Sequence, residues 1–216
     1  MRFDCDSTLS CIEGIDELAR RAGREAEIAS LTEAAMNGAI PLEEIYAKRL
    51  DIVRPDKAAL VWLAARYLEE MVSGAAETVA TLRRHGKAIY VVTSGLLQAV
   101  AEFARSLGFV LNEIHAVKVH LDAGGTYQGF ETSSPLCHSD GKAVICRGIA
   151  ATHGNVAMVG DGVTDLAARA GGAYVVGYGG VTRRETVLQE ADCYIAAPSL
   201  TATLPVLLTE EEQGRF

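Results

Sequence analysis

Apolar residues recur in two rhythms along this 216-residue chain. From Glu13 to about Met71 they fall at helical spacing, and from Ala88 onward short unbroken apolar runs alternate with helical stretches. Ile15, Leu18, Ala19 and Ala22 mark a first helix. Ile28, Leu31 and Ala35 mark a second, which stops near Asn37-Gly38. Pro41 suits the first turn of a third, running to about Val53. Pro55 ends that one, and residues 56–71 read as a fourth. The helical block closes near Ser73-Gly74.

A different pattern follows. Residues 78–85 are helical. Ala88-Ile-Tyr-Val-Val-Thr93 is the continuous apolar run of a parallel strand buried on both faces, with Ser94-Gly95 at its end and a helix to about Leu107. Val117, Val119 and Leu121 alternate with Lys118 and His120. With Gly124-Gly125 and the segment from Tyr127 to Phe130 they predict a hairpin. Residues 144–153 are helical, and Val156-Ala-Met-Val159 is a strand ending in Gly160-Asp161-Gly162. Residues 173–176 and 193–196 are two more short strands. Strand and helix in alternation predict an α/β fold, an open parallel sheet with helices on both faces. The four-helix block is then an insertion directly after the first strand. Residues 1–11 and 74–216 form the core domain on this reading, and residues 12–73 a helical cap. The first strand is the odd one, because only Met1, Arg2 and Phe3 precede Asp4. Either it is short or its true start lies further upstream.

Composition narrows the function. Lys and Arg number 20 against 28 Asp and Glu, a net charge of −8, which argues against nucleic acid or an anionic membrane as partner. No apolar run is long enough to span a bilayer, and no basic-then-apolar leader opens the sequence. Five cysteines, odd in number and with no Cys-x-x-Cys pair, suit idle thiols in a reducing cytoplasm better than a disulfide frame or a zinc site. The histidines show no ligand spacing.

Asp4 and Asp6 sit two apart at the end of the first strand, at the mouth of the sheet where such folds bind ligands. Acids so close repel unless a cation lies between them or one holds a proton. Mg²⁺ suits an oxygen-only site with waters and a substrate phosphate. The plain alternative is a polar turn. Three more fragments fall at or beside strand ends: Thr93-Ser94-Gly95, Lys142 after Asp140-Gly141, and Gly160-Asp161-Gly162-Val-Thr164-Asp165. Together the four supply what phosphoryl transfer through an aspartyl-phosphate needs.

The set resembles the haloacid-dehalogenase-like (HAD) phosphohydrolase superfamily over nearly the whole chain. Within it the resemblance is to the branch that hydrolyses O-phospho-L-serine. That branch opens similarly to Asp4-Cys-Asp6-Ser-Thr8 and Glu13-Gly-Ile15-Asp-Glu-Leu18-Ala19. Ala35-Met-Asn-Gly-Ala-Ile-Pro41, Lys48-Arg49-Leu50, Tyr127-x-Gly-Phe130 and Gly177-Tyr-Gly-Gly180 with Arg184 match as well. The resemblance implies a Rossmann-like sheet with a cap and a Mg²⁺-dependent phosphatase giving L-serine and phosphate, the last step of serine synthesis. It implies Asp4 as nucleophile and Asp6 as general acid and base. The metal is held by Asp4, the Asp6 backbone carbonyl and Asp161. Ser94, Gly95 and Lys142 take the phosphate, and Asp165 orients Lys142 or the metal's waters. Glu13 takes the substrate ammonium and Arg49 its carboxylate, with Met36 and Thr164 lining the pocket.

Other readings stay open. Arg49 also reads as a surface charge paired with Glu43 or Glu44, and Glu13 as an acid favoured in a first helical turn. Leu96 replaces a second glycine of the family's phosphate loop, and Leu42 an aromatic lining residue. They leave room for another small phosphomonoester as substrate. A signalling receiver phosphorylated on aspartate, or an inactive relative, is the reading from another class. The chain suits a monomer or a homodimer equally.

Overall fold

The structure is a computed structural model that describes residues 1–37 and 39–214, Met36 by its backbone alone. The chain opens with β1 (Arg2–Phe3), then runs through α1 (Gly14–Arg21), α2 (Glu25–Met36), α3 (Leu42–Val53), α4 (Lys57–Glu69) and α5 (Ala75–Arg84). Next come β2 (Tyr90–Leu96), α6 (Leu97–Ser106), β3 (Ile114–Val117) and a hairpin of β4 (Val119–Leu121) and β5 (Tyr127–Phe130). The second half holds α7 (Gly141–His153), β6 (Val156–Gly160), α8 (Val163–Leu166), β7 (Ala173–Tyr178), α9 (Glu185–Glu190) and β8 (Cys193–Ile195).

Six strands form one parallel sheet in the order β3-β2-β1-β6-β7-β8, with helices on both faces. β1 is two residues long and central: Arg2 pairs with Tyr90 on one side and Met158 on the other. Its ladder runs one residue beyond the strand at each end. The Tyr90 amide donates to the Met1 carbonyl, and the Asp4 amide to the Val159 carbonyl, each at 2.9 Å. Strand order reverses between β1 and β6, so the crevice beyond their C-terminal ends is where an open α/β sheet places a ligand.

Two expectations need correction. Val117 belongs to β3 on the main sheet, and the hairpin pairs only β4 with β5. Ile114-His-Ala-Val117 gives a weak pattern because it is short and its middle two residues, a histidine and an alanine, are only half-buried, as on an edge strand. β2 also runs on through Ser94 and Gly95 to Leu96.

Helices α1 to α4 fill the interval between β1 and β2. Asp56 caps α4, its Oδ1 accepting from the Ala59 amide at 2.7 Å. Leu60, Leu63, Ala64 and Tyr67 form the buried stripe of α4. That stripe lies along α6, where the rings of Tyr67 and Phe103 stack with centroids 5.6 Å apart. The helices and the sheet therefore share one continuous apolar cluster. The chain leaves for these helices and returns from them at a single place. There the Cys11 amide donates to the Glu70 carbonyl at 2.7 Å and the Val72 amide to the Leu9 carbonyl at 3.0 Å.

Candidate active site

Asp4 stands at the C-terminal end of β1 and Asp161 at that of β6, on either side of the reversal in strand order. Asp4 Oδ1 accepts from the Cys5 amide at 2.8 Å, and its Oδ2 lies 2.7 Å from Lys142 Nζ. Lys142, in the first turn of α7, also donates to Asp165 Oδ1 at 2.6 Å. The second oxygen of Asp165 accepts from the Gly162 amide at 3.0 Å. All three side chains are buried. Burial alone would push the Lys142 ammonium down, but Asp165 and Asp4 outweigh it and hold the group above the usual lysine value. Burial pushes Asp165 up to about 6 against the pull of Lys142.

Asp161 Oδ2 accepts from Arg184 Nε at 2.9 Å, and the Arg184 Nη2 lies 3.4 Å from Glu13 Oε1. Burial holds Asp161 well above the ordinary carboxylate range. The Glu13 charge adds to that, and Arg184 opposes it. Carboxylate oxygens of Asp4, Asp161 and Asp165 lie within 4.8 Å of one another. An all-oxygen cluster of buried acids whose charges resist one another fits a hard divalent cation.

Beside this cluster lies a small cavity of about 40 Å³, lined by Asp6, Glu13, Tyr46, Arg49, Tyr67 and the Ser94-Gly95-Leu96 turn, among others. Asp6 Oδ1 accepts from the Tyr67 hydroxyl at 2.6 Å. Burial pushes Asp6 up to about 7. The Tyr67 bond works against this and the neighbouring Asp4 with it. Burial likewise takes Glu13 to about 8, with the Asp6 charge adding and the bond from Ser7 opposing. Ser7 Oγ reaches Glu13 Oε1 at 2.8 Å from a backbone with φ of 49°. Arg49 is 5 % exposed. One of its amino groups donates to Thr32 Oγ1 at 3.2 Å, and Thr32 in turn donates to Asp16 Oδ1 at 2.6 Å. Its Nε is buried without a partner among the described residues. At the sheet end, the Ser94 carbonyl accepts from the Tyr46 hydroxyl at 2.7 Å, and the Gly95 amide donates to Thr93 Oγ1 at 3.1 Å.

A family model for haloacid dehalogenase-like hydrolases matches residues 2–169. The chain belongs to this family. It is 33% identical over 196 residues to a phosphoserine phosphatase of Drosophila melanogaster, covering 89% of this chain and 73% of that one. Two solved structures are 27% identical and cover 95% of this chain and 96% of theirs. One is a phospho-aspartyl intermediate analogue of phosphoserine phosphatase, with a TM-score of 0.82. The other is a substrate-bound phosphoserine phosphatase complex, at 0.83.

In this hydrolase the residues expected from sequence fall into two groups. Asp6, Glu13, Arg49, Ser94 and Gly95 line the cavity, while Asp4, Lys142, Asp161 and Asp165 form the adjoining buried cluster. Thr164 is buried in α8, next to Asp165 of the cluster. The Met36 side chain lies outside the described residues. Arg49 is no surface charge. It is buried, and Glu43 is occupied elsewhere, its Oε2 accepting from the Ser139 amide at 2.9 Å and hydroxyl at 2.8 Å. Glu13 holds the N-cap position of α1 without a capping bond and turns to Ser7 and Arg184 instead. Leu96 does line the cavity; the aromatics that line it are Tyr46 and Tyr67, not residue 42. Sequence reasoning assigned no role to Tyr46, Tyr67, Thr32, Asp16 or Arg184. Tyr67 carried one faint signal, a polar tip on the apolar stripe of a helix, which needs a partner when buried.

Proposed function

We propose that this hydrolase converts O-phospho-L-serine to L-serine and inorganic phosphate through a phosphorylated Asp4, with Mg²⁺ as its metal. The phosphoserine phosphatases among its relatives support the substrate. The observation that carries the reading is the cavity itself. One space presents Glu13, whose raised carboxyl would ionise against an ammonium, and a buried guanidinium, Arg49, whose Nε has no partner among the described residues. A guanidinium held this way is suited to a carboxylate, which it can grip through two parallel bonds.

The chemistry follows from the two acids just after β1. Asp4 attacks phosphorus and the bond from phosphorus to the serine oxygen breaks. The proton on Asp6 passes to that oxygen. Water then gives a proton to Asp6 as its own oxygen attacks phosphorus, which releases phosphate and restores Asp4. A carboxyl pushed to about 7 by burial is suited to both transfers near neutral pH. Lys142, braced by Asp165, keeps a positive charge beside Asp4 as the phosphoryl group arrives. Ser94 and the Gly95 amide are the phosphate donors, the amide exchanging its bond to Thr93 for one to the ligand. Mg²⁺, held by Asp4, Asp161 and the Asp6 carbonyl, supplies positive charge to the phosphoryl oxygens when bound.

Residues 12–73 act as a cap over a core of residues 1–11 and 74–216. α1, α3 and α4 wall the cavity on one side and the β2 end on the other. The lining comes from cap and core alike, so substrate enters and product leaves as the cap moves. The five free thiols suit a reducing cytoplasm as the setting.

Phosphate release with Mg²⁺ tests the reading, wild type beside Asp4→Asn. The panel is L-phosphoserine, phosphothreonine, phosphoethanolamine and simple sugar phosphates. The expected result is kcat/KM for phosphoserine at least about a hundredfold above the others, and lost in the variant. Flat but Asp4-dependent activity discards the serine assignment and keeps the phosphatase. Residual activity in Asp4→Asn within about tenfold of wild type discards the nucleophile.

A further inference from the structure

The phenol of Tyr67 is the only side-chain hydrogen-bond donor seen on Asp6 among the described residues, at 2.6 Å from Oδ1. The ring is held from every side. It is 0 % exposed and stacks on Phe103 of α6 at 5.6 Å between centroids, with planes 29° apart. Its backbone is anchored too. Ser10 Oγ donates to the Tyr67 carbonyl at 3.3 Å and to the Glu70 carbonyl at 3.0 Å. The end of α4 is bonded to the segment around Ser10 at the place where the chain leaves and re-enters the sheet layer, with Ser10 and Met71 as bridge partners. Tyr67 thus belongs to a helix of the insertion yet sits fixed to the core. Gly14 makes room for it, because a Cβ there would lie 2.0 Å from the phenol oxygen.

From this geometry we infer that Tyr67 is a positioning residue for proton transfer: its hydroxyl pins Oδ1 of Asp6, so that Oδ2 is the oxygen that gives the proton to the leaving group and takes one from water. The inference rests on the assignment of Asp6 as general acid and base. A carboxylate on a single-bonded stem otherwise rotates between staggered and broad terminal states. Proton transfer gains from a donor already within reach and correctly turned. The anchoring by Phe103 and Ser10 means the phenol keeps its place while the cap opens and closes.

Leaving groups separate this role from a merely structural one. Serine leaves as an alkoxide and needs a proton, whereas acetate, leaving from acetyl phosphate, does not. The value of kcat/KM for each covers the steps up to cleavage of the bond to phosphorus, so later attack by water does not enter. Tyr67→Phe keeps the ring and its stacking and removes only the hydroxyl. With Mg²⁺ present it is expected to lose roughly ten- to a hundredfold in kcat/KM for phosphoserine, part of what a general acid contributes, and less than about threefold for acetyl phosphate. Gly14→Ala, which displaces the phenol while leaving Tyr67 in the chain, is expected to show the same selectivity. Asp6→Asn serves as the control and should show it more strongly. Equal losses on both substrates in Tyr67→Phe, or no loss on either, while Asp6→Asn remains selective, overturn the role of Tyr67 and leave Asp6 standing. Equal losses in Asp6→Asn itself remove the general acid, and the inference with it.

Discussion

Arg49 is the buried side chain on which the proposed selectivity rests. One amino group donates to Thr32, which is itself held by Asp16, and Nε has no partner among the described residues. Burial pulls the guanidinium below its usual value without discharging it. A substrate carboxylate therefore meets a cation already desolvated and aimed. Arg49→Ala is expected to raise KM for phosphoserine roughly ten- to a hundredfold, the worth of one charge-assisted pair. KM for phosphoethanolamine, which lacks the carboxylate, should change by less than about threefold. Thr32→Val should push in the same direction by a smaller factor. Steady-state kinetics on the two esters check this, and equal effects on both remove the carboxylate role. At this scale the sequence was partly legible. Asp4, Asp6 and Asp161 follow the ends of adjacent central strands, where topology alone brings them together, and Lys142 reaches Asp4 from the first turn of α7. Tyr67, Thr32 and Arg184 come from helices and loops whose meeting depends on packing, which spacing along the chain does not encode.

The end of β6 shows how an element sets Lys142. Gly160 is the last residue of the strand, and a Cβ there would lie 2.0 Å from Asp165 Cγ. The strand and the first turn of α8 approach so closely that only hydrogen fits between them. Asp165 is thereby pressed toward Lys142. Gly160→Ala is expected to displace that carboxylate, lowering kcat by at least about tenfold and stability by about 1–3 kcal/mol. Turnover and a denaturant titration read the two effects, and an unchanged kcat would mean that the brace on Lys142 is dispensable. The helices and most strands were predictable because their apolar periods are long or unbroken. β3 was not, being a short edge strand with a histidine in it. The extent of β2 was misjudged because Ser94 and Gly95 look like a turn but form an irregularity inside the strand, whose pairing resumes at Leu96.

The whole molecule concentrates its unfavourable charge in one place. Asp4, Asp161 and Asp165 are buried, and Asp6 and Glu13 half-buried, around Lys142, Arg184 and Arg49, so the acids outnumber the cations that face them. A dication bound only by the folded chain should relieve this. At a hundredfold excess over its Kd it stabilises by about 2.7 kcal/mol. For a chain of this length that moves Tm by roughly 5–10 °C. A thermal melt with Mg²⁺ and with a chelator checks the expectation, and identical curves at millimolar Mg²⁺ refute it.

β1 has a further consequence, in the order of events as the chain folds. It is two residues long, and its partners lie at Tyr90 and Met158, far along the chain. So short a strand has little to hold it until both neighbours are in place, and the loops that bring them there are costly to close. Helices, whose contacts are local, form without waiting. Asp4 therefore takes its working position late, after most of the helical signal has returned. In refolding from denaturant, circular dichroism at the helix band should recover ahead of phosphatase activity. Recovery of both in one phase would show that β1 docks with its neighbours rather than after them.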